Sequence, residues 1–543
     1  MKWQGFCDGY ESTSTPRNES RKGTSSTDSS PEASAATTSA SSTEIVKANE
    51  PPALTAGKTP VVLEPDFNNG VFNYQWEKIY FDHWLALANN MGGGFFKSDL
   101  WTRTIPQLSR DEPAIKYAGM AIGAMANAMS PNMLPKTFGD LLGNGPHYKN
   151  ALTYYGRALR HVRLQQGPNP ESTLRAAILS CILFVCFETL HGNREAALHH
   201  ISHGLQMMES FLKSKASPNV EDPTTEFLTH SPAPYVIEDE ILQVFQRLDF
   251  QSWSTGLLRP KRTNNKTPHC QSRPQEYPIH KLPESFADLA EARQWWDLVQ
   301  HWVLQFPRTV VEQLVQEVER VGPEAAKEMK LDLCDVPGVR DLQRQNLTML
   351  ERWNAAFWPL YNSTRHNKRA DEDSYLRATS LQIQYLIAWI GTRSICFSEY
   401  ETMYQLTPQF REINRLGAVL LPKQPKAGGC SEAFTMDNGP TMALFVVASK
   451  CRDAGVREEA IALMERHPRR DGFWDSRAMV SLAKFNRQIE EENETEGDLY
   501  EQWARLRQRE AIVDERNPEM MIFMYKKDPV TRQFQLVQHL LRW

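Results

Sequence analysis

The histidines of one predicted helix have a spacing that could bind a metal ion. His199 and His203 are four residues apart, so they lie on one face of a helix beside His200, and His191 can approach them across a turn at Gly192. A structural metal site takes about four ligands, and no acidic or cysteine partner stands at a matching spacing. Packing and hydrogen bonds at the helix end are therefore the favoured interpretation, with a metal site as the alternative.

The eight cysteines are scattered and form no CxxC or CxxH pair. Cys181 and Cys186 lie within an apolar run, which favours free, buried thiols of a reducing compartment. Cys7 stands apart, near the first residue, where a lone cysteine is most often an exposed thiol in a flexible tail.

Signatures of catalysis are missing from the sequence. It contains no G-x-S-x-G, no GxxxxGK[ST], no HExxH and no GxGxxG after a strand. The carboxylates of Glu238, Asp239 and Glu240 stand at the start of a predicted helix, where they favour the helix dipole without any active site. We therefore predict that the chain is not an enzyme, has no catalytic residues and binds no cofactor other than the metal discussed below.

The composition is that of a protein with a large core. Hydrophobic residues make up 41% and charged residues 23% of the 543 residues, and the net charge of −5 argues against a chain that coats nucleic acid. Residues 11–65 are rich in Ser, Thr and Pro and predict a disordered linker. The pattern from 66 to 492 predicts one helical domain, and 493–543 a C-terminal extension of it.

Apolar residues at three- and four-residue spacing predict an all-α fold, a large irregular helical domain. The segment 177–187 is too short for a membrane span and predicts a core helix. Strand signals are nearly absent before 520–543, where two apolar runs flank Lys527–Pro529 and predict a small β-hairpin. The predicted helices are 117–129, 148–164, 171–190, 194–212, 238–251, 285–306, 309–321, 339–361, 374–399, 440–452 and 456–467.

The first ten residues resemble the end of a fungal binuclear zinc cluster. In that family six cysteines hold two zinc ions, and the sixth is often followed by Asp-Gly-Tyr and a linker rich in Ser and Pro. Cys7, followed by Asp8-Gly9-Tyr10 and the 11–65 segment, matches this sixth position, so 1–10 is interpreted as the remnant of a truncated DNA-binding domain. The other five ligands have no counterpart, and one thiolate cannot build the cluster. Cys7 is the candidate metal ligand, and we expect it to hold no zinc in this chain.

Six further segments resemble the fungal-specific transcription factor domain that follows such clusters. The order and spacing of the pieces carry this resemblance, which spans about 70–543. The matching residues are Phe187, Glu188, Gly192, Asn193, Ala196, His199 and Gly204; Phe245, Arg247, Leu248, Asp249 and Gln251; Pro283, Phe286, Leu289, Glu291, Ala292 and Arg293; and Trp353-Asn354, Arg452-Asp453 and Arg469–Ser476.

The resemblance implies a nuclear regulator of RNA polymerase II transcription that controls a metabolic or secondary-metabolite gene set. Zinc is the cofactor of the complete family domain, and DNA would be a partner only if a complete cluster stands upstream. A second copy of the chain, a co-regulator protein or a small-molecule effector are further possible partners, and no membrane is expected. The basic segment Arg259–Arg262 is either a nuclear-import signal or a solvated loop. The alternative function is a helical interaction or ligand-sensing module without DNA binding of its own.

Overall fold

A computed structural model gives the positions of most residues from Phe72 onward. Cys7, the predicted zinc-cluster remnant at 1–10 and the predicted disordered linker at 11–65 lie outside the described residues, as does the predicted helix 309–321 except for Arg320. The described residues are 72–91, 94–96, 98–129, 146–164, 170–215, 230–231, 233–254, 259–260, 281–303, 320, 336–394, 402–423, 432–492, 510–514, 518–527, 530–531 and 534–543.

Helices build the first part of the described chain, as predicted. A five-residue π-helical turn, Leu100–Thr104, leads into the second of them. They are α1 (Gln75–Met91), α2 (Ile105–Asp111), α3 (Pro113–Met129), α4 (Pro146–Leu164), α5 (Pro170–His191), α6 (Arg194–Lys215) and α7 (Asp239–Ser254).

The small residues of α3 let α1 pack directly against its backbone. A Cβ atom on Gly123 would lie 1.9 Å from the carbonyl oxygen of Tyr80, so no side chain fits there. At Gly119 the nearest atoms belong to the Trp84 ring, at 2.7 Å from such a Cβ. The alanine, glycine and methionine content of α3 therefore sets how closely the two helices approach.

Helices α5 and α6 form the predicted hairpin about Gly192. Gly192 has φ 77°, a conformation that glycine adopts without steric cost. Asn193 N–H donates to the Glu188 carbonyl at 2.9 Å, which closes the helix end in a Schellman-type turn. By length and composition α5 could cross a membrane, yet 78% of its most apolar stretch is buried within the protein, as expected of a core helix.

Helices also form most of the second part. The helix predicted at 285–306 begins later, at residue 289, because the Asp288 carboxylate accepts from the N–H groups of Ala290 and Glu291 and so caps it there. The helices are α8 (289–303), α9 (Val339–His366), α10 (Glu372–Arg393), α11 (Thr402–Gln405), α12 (Thr407–Leu420), α13 (Thr441–Lys450), α14 (Ala454–Arg466) and α15 (Ser476–Glu492).

Short strands interrupt the helices, and more of them are present than the sequence predicted. The predicted C-terminal hairpin is confirmed, since β6 and β7 pair antiparallel over nine residues. The predicted fold class is confirmed as mostly α-helical, since the other described strands are few and short: β2, β3 and β4 form one sheet, and β1 and β5 extend the hairpin into a sheet of order β1-β5-β6-β7. The strands are β1 (Arg259–Pro260), β2 (Ala433–Thr435), β3 (Arg469–Asp471), β4 (Trp474–Asp475), β5 (Glu510–Asp514), β6 (Glu519–Lys527) and β7 (Phe534–Arg542).

Two hydrophobic cores organise these elements. The first core is formed by α1–α7 and is completed by three residues from much later in the chain, Phe434, Met436 and Phe473. The second core is formed by residues 282–303, α9–α15 and the inner faces of β5 and β6. Phe473 belongs to the first core and its neighbour Trp474 to the second, so the turn between β3 and β4 lies where the two cores meet.

Candidate functional site: a buried ionic seam

A cluster of charged and amide side chains, most of them buried and the others half-buried, lies where the two cores meet. Phe245 and Leu248 of α7 are in the first core, and Trp296 and Val299 of α8 are in the second, while the polar residues between them face one another. We call this cluster the ionic seam. Its members are Arg247, Asp249, Gln251, Arg293, Asp297, Gln300, His301, Asp437, Asn438 and Asp471.

Two arginines and two aspartates form the centre of the seam. Arg247 donates from Nη1 to Asp297 Oδ2 at 2.7 Å, and its Nε lies 3.5 Å from Asp437 Oδ1. Arg293 Nη2 donates to the other Asp437 oxygen at 2.8 Å. Both arginines are therefore paired with carboxylates from other segments, and the four formal charges cancel.

The titration of these groups reflects burial and pairing together. Burial alone would lower the pKa of Arg247, but the Asp297 and Asp437 carboxylates outweigh burial and raise it. Burial likewise opposes ionisation of Asp437, and Arg293 and Arg247 nevertheless hold the pKa of that carboxyl below its usual range. For Asp297 burial prevails over the two arginines and raises the pKa. Asp437 is thus the more firmly ionised of the two acids.

Amide side chains continue the seam. Gln251 Nε2 donates to the Met436 carbonyl and to Asn438 Oδ1, both at 3.1 Å. The Asn438 carbonyl accepts from Gln384 Nε2 at 3.2 Å, and Gln384 Oε1 accepts from Trp296 Nε1 at 2.8 Å. The chain of hydrogen bonds fixes the segment after β2 between α7, α8 and α10.

The turn at Gly472 requires a residue without a side chain. Its φ is +55°, and a Cβ there would lie 1.9 Å from Gln251 Oε1. Glycine therefore serves both the left-handed backbone and the close approach of the amide.

Asp471 connects the small sheet to helix α13. Its Oδ2 accepts from the backbone N–H of Thr441 at 3.1 Å and from the Thr441 hydroxyl at 2.6 Å. Its other oxygen accepts from Arg469 Nε at 2.8 Å. Asp471 thus caps a helix that begins 30 residues earlier in the chain, in place of a capping side chain at Pro440.

The same turn is bonded to the α5–α6 corner. Arg194 Nη2 donates to the Phe473 carbonyl at 3.1 Å, and its guanidinium lies 5.8 Å from the centre of the Phe473 ring. Arg470 Nη1 donates to the Thr189 carbonyl at 2.5 Å. Both interactions join residues about 280 positions apart, namely 279 and 281.

Three of the segments that carry the family resemblance meet in this region. Arg247, Asp249 and Gln251 come from one segment, Arg293 from the next, and residues 469–476 from the last. Sequence reasoning missed Asp297 and Asp437, their main charge partners. An acid within the apolar run Trp295–Val299 was the available signal, because a buried carboxylate requires a partner.

The predicted histidine cluster is divided between core and surface. His200 is buried, and its Nε2 lies 2.9 Å from the Tyr155 hydroxyl, whereas His199 is exposed and its ring centre is 6.5 Å from that of His203. His191 is buried and bonded through Nε2 to the Tyr148 hydroxyl at 2.9 Å. His200 and His191 are therefore packed and hydrogen-bonded within the core, which is the interpretation that the sequence favoured.

The acidic triplet at the start of α7 makes specific contacts. Glu240 accepts from the N–H groups of Leu100 at 2.6 Å and Asp99 at 3.2 Å, and so caps the π-helical turn. Glu238 accepts from Arg175 Nε at 3.0 Å on α5. These carboxylates have tertiary partners in addition to the helix dipole assumed from the sequence.

Metal ligands are not assembled in the part of the chain that the structure describes: no group of three or more His, Cys, Asp or Glu there could hold a metal ion. Cys7 lies outside that part. It is also the one cysteine before Cys181, so the residues present do not fit the six-thiolate set of a binuclear zinc cluster. The described cysteines, Cys181, Cys186 and Cys451, are free and buried, as predicted.

The cavity beside the seam is very small. It has a volume of about 10 Å³ and is lined in part by Glu432, Arg470, Asp475 and Arg477. That is room for roughly one water molecule. The arrangement of paired charges around so small a space can hold segments together, and it offers a substrate no room.

Comparison with known proteins adds one short match. Over 59 residues the chain is 42% identical to the aspercryptin biosynthesis cluster-specific transcription regulator of Emericella nidulans. The similarity is to a fungal transcription regulator. The match covers 10% of this chain and 10% of that protein, so the chain spans about a tenth of the length of the curated relative. No family model matches the chain, and no solved structure matches it.

Proposed function

We propose that this chain is the regulatory part of a fungal transcription regulator, with two helical cores held in register by the ionic seam. The main observation is that three separate segments resembling the fungal regulatory domain meet at the ionic seam. They do so through Arg247, Arg293 and the 469–476 turn, whose Gly472 lies directly against Gln251. The match to a cluster-specific transcription regulator supports the same role.

In this proposal the chain acts in the nucleus, on genes of a metabolic or secondary-metabolite pathway, and it catalyses no reaction. The seam supports a non-catalytic role because every carboxylate at its centre is paired with an arginine and the adjoining cavity holds about 10 Å³. Sequence-specific DNA binding requires the complete zinc cluster.

A tethering experiment tests the regulatory role. The full chain is fused to a DNA-binding domain of known operator and expressed in a fungal host with a reporter gene. We expect reporter transcription to change several-fold, up or down, relative to the DNA-binding domain alone. The control fusion carries Arg247→Met, which breaks the seam and should abolish the effect. An unchanged reporter with a fusion that is expressed and nuclear would contradict the proposal.

Metal analysis and a DNA-binding assay separate the regulator from its alternative. We expect the purified chain to hold no zinc and to show no zinc-dependent binding to GC-rich DNA. About two zinc ions per chain would overturn this expectation, since that is the content of a complete binuclear cluster. A chain that is silent in the reporter assay and binds no DNA would instead favour a ligand-sensing or protein-interaction module.

A further inference from the structure

Strand β7 forms one edge of its sheet. It pairs with β6 along nine consecutive residues without a bulge, and in the order β1-β5-β6-β7 it is the last strand. Among the described strands none is bonded to its other side. Natural edge strands are usually protected by lysine, proline or a bulge, and residues 534–542 contain neither lysine nor proline.

The register shows which backbone groups face this open edge. Trp543 N–H donates to the Pro518 carbonyl at 3.1 Å, and bonding alternates along an antiparallel pair. Odd-numbered residues of β7 therefore bond to β6. Leu536, Gln538 and Leu540 direct their N–H and C=O groups away from β6, toward the open edge.

The side chains of the same residues lie on an exposed face. Leu536 is 54% and Leu540 44% exposed, and Gln538 between them is exposed as well. The alternate side chains face α15, as the 5.0 Å separation between the rings of Phe485 and His539 shows. An apolar pair and a row of backbone groups that no described strand bonds thus coincide on β7.

We propose that β7 is a docking edge for a second copy of this chain, whose own β7 adds antiparallel about a two-fold axis at Gln538. In this register Leu536 lies opposite Leu540 of the second copy, and the reverse pair forms by symmetry. Gln538 lies opposite its own copy. All nine residues overlap, and every outward donor meets an outward acceptor because even-numbered residues pair with even-numbered residues.

The charge pattern favours a second copy over an unrelated strand. Arg542 is the single Lys, Arg, Asp or Glu of β7, and it stands at the strand end. Two-fold pairing separates the two Arg542 residues by about 26 Å along the strand, so they do not repel one another appreciably. The leucines are symmetric about Gln538, which an isologous contact requires.

The assembly closes at two chains. After β7 pairs with β7, the outer edge of each sheet among the described strands is β1, which has two residues and ends in Pro260. Proline offers no N–H for a further strand, and so short an edge supports little pairing. We therefore expect a discrete dimer with one continuous sheet and no growing filament.

Sedimentation velocity on the full chain, up to about 50 µM, tests the proposal, because a micromolar Kd would be fully resolved there. We expect a concentration-dependent dimer. Gln538→Pro removes an outward N–H and leaves the bonds to β6 in place, and Leu540→Lys places a charge in the apolar pair. Each should raise the dimer Kd at least about tenfold. Because Gln538→Pro and Leu540→Lys act differently, a folding failure of one leaves the other informative.

The matched control is Ile79→Lys, since Ile79 on α1 is 46% exposed, close to the 44% of Leu540. It should leave the dimer unchanged. The proposal would be overturned if the chain is a monomer at every concentration or forms open-ended polymers. A dimer whose Kd is unchanged by both β7 variants would overturn it as well.

Cross-linking tests the register itself. Chains carrying Leu536→Cys mixed with chains carrying Leu540→Cys should cross-link with a short bismaleimide faster than either variant alone, with the wild type as background for the native thiols. In the proposed register the mixed pair is directly opposite, whereas like positions are offset by about 13 Å. Equal rates for mixed and single variants would show a different contact.

Discussion

The ionic seam and strand β7 differ in what they bury: the seam buries charged side chains, whereas β7 exposes apolar ones. In the seam, Arg247 and Asp297 are buried with side chains 9% and 3% exposed, and each finds its partner within the chain. On β7, Leu536 is 54% exposed beside backbone groups that face no described strand. A buried charge must be matched inside the molecule, while exposed apolar surface costs the fold little and remains available to a partner. The two regions should therefore respond oppositely to substitution.

Breaking the seam should give the largest effect. Arg247→Met leaves Asp297 buried without its hydrogen-bonded cation, and we expect a loss of about 3–5 kcal/mol in the free energy of unfolding, measured by urea denaturation. The double variant Arg247→Met/Asp297→Leu should lose less than the single variant, because no unpaired charge remains. A single variant within about 1 kcal/mol of wild type would show that the pairing is unimportant.

The turn beside the seam should be nearly as sensitive. Gly472 and Gly338 both have positive φ, 55° and 82°, but only at Gly472 would a Cβ meet another atom, Gln251 Oε1. Gly338→Ala should cost about 1–2 kcal/mol through backbone strain. Gly472→Ala should cost about 1–3 kcal/mol more, because Gln251 must leave its hydrogen bonds. Equal thermal shifts for the two variants would contradict this contact.

The buried, neutral imidazole of His200 should make the free energy of unfolding depend on pH. Burial lowers the pKa of His200 from 6.5 to about 4, against the opposing Glu188 carboxylate. In the unfolded chain His200 is protonated below about pH 6.5, whereas in the folded chain it stays neutral down to about pH 4. This residue therefore makes stability fall as the pH falls through that window, by up to about 1.4 kcal/mol per pH unit.

Paired urea titrations across that window measure the contribution of His200. His200→Gln should show a shallower decline than wild type, whereas the exposed control His366→Gln should decline in parallel with it. If His200→Gln follows the wild-type curve, the histidine is protonated in the fold and the expected burial effect is wrong.

The exposed face of β7 should give the smallest effect on folding. Leu540→Thr, measured below the dimer Kd, should change the free energy of unfolding by less than about 0.5 kcal/mol, as is usual for surface positions. The same substitution should weaken self-association. A loss above about 1 kcal/mol in the monomer would mean that Leu540 belongs to the fold and would erase the contrast with the seam.

Local patterns in the sequence were sufficient for most of the helices. Gly192 predicted the corner between α5 and α6, and the two apolar runs that flank Lys527–Pro529 predicted the pairing of β6 with β7. Boundaries were less accurate where a single side chain decides them, as Asp288 does for α8. Helix α12 was missed although Phe410, Ile413 and Leu420 have helical spacing, so its signal was present in the sequence.

Local sequence patterns could not predict the ionic seam, because its partners lie far apart in the chain. Arg293 and Asp437 are 144 residues apart, and Arg194 and the Phe473 carbonyl 279. Strands β3 and β4 have three and two residues, too few to show alternation, and the Arg469–Asp471 pair makes β3 look like exposed chain. Only the family-like segments indicated that these parts belong together. Of the two central charge pairs they contain Arg247 and Arg293 but neither Asp297 nor Asp437.

Three residues of the first core, Phe434, Met436 and Phe473, are synthesised long after the helices they pack against. A ribosome adds about 5–20 residues per second, so Phe473 follows Arg194 after a delay on the order of tens of seconds. After Ser254 completes α7 and until Phe473 is synthesised, the apolar surface that Phe434, Met436 and Phe473 cover in the fold is not fully covered. We therefore expect chaperones at the ribosomal exit tunnel to bind the nascent chain of this protein. Codon changes that slow translation between α7 and β3 should lower the yield of soluble protein.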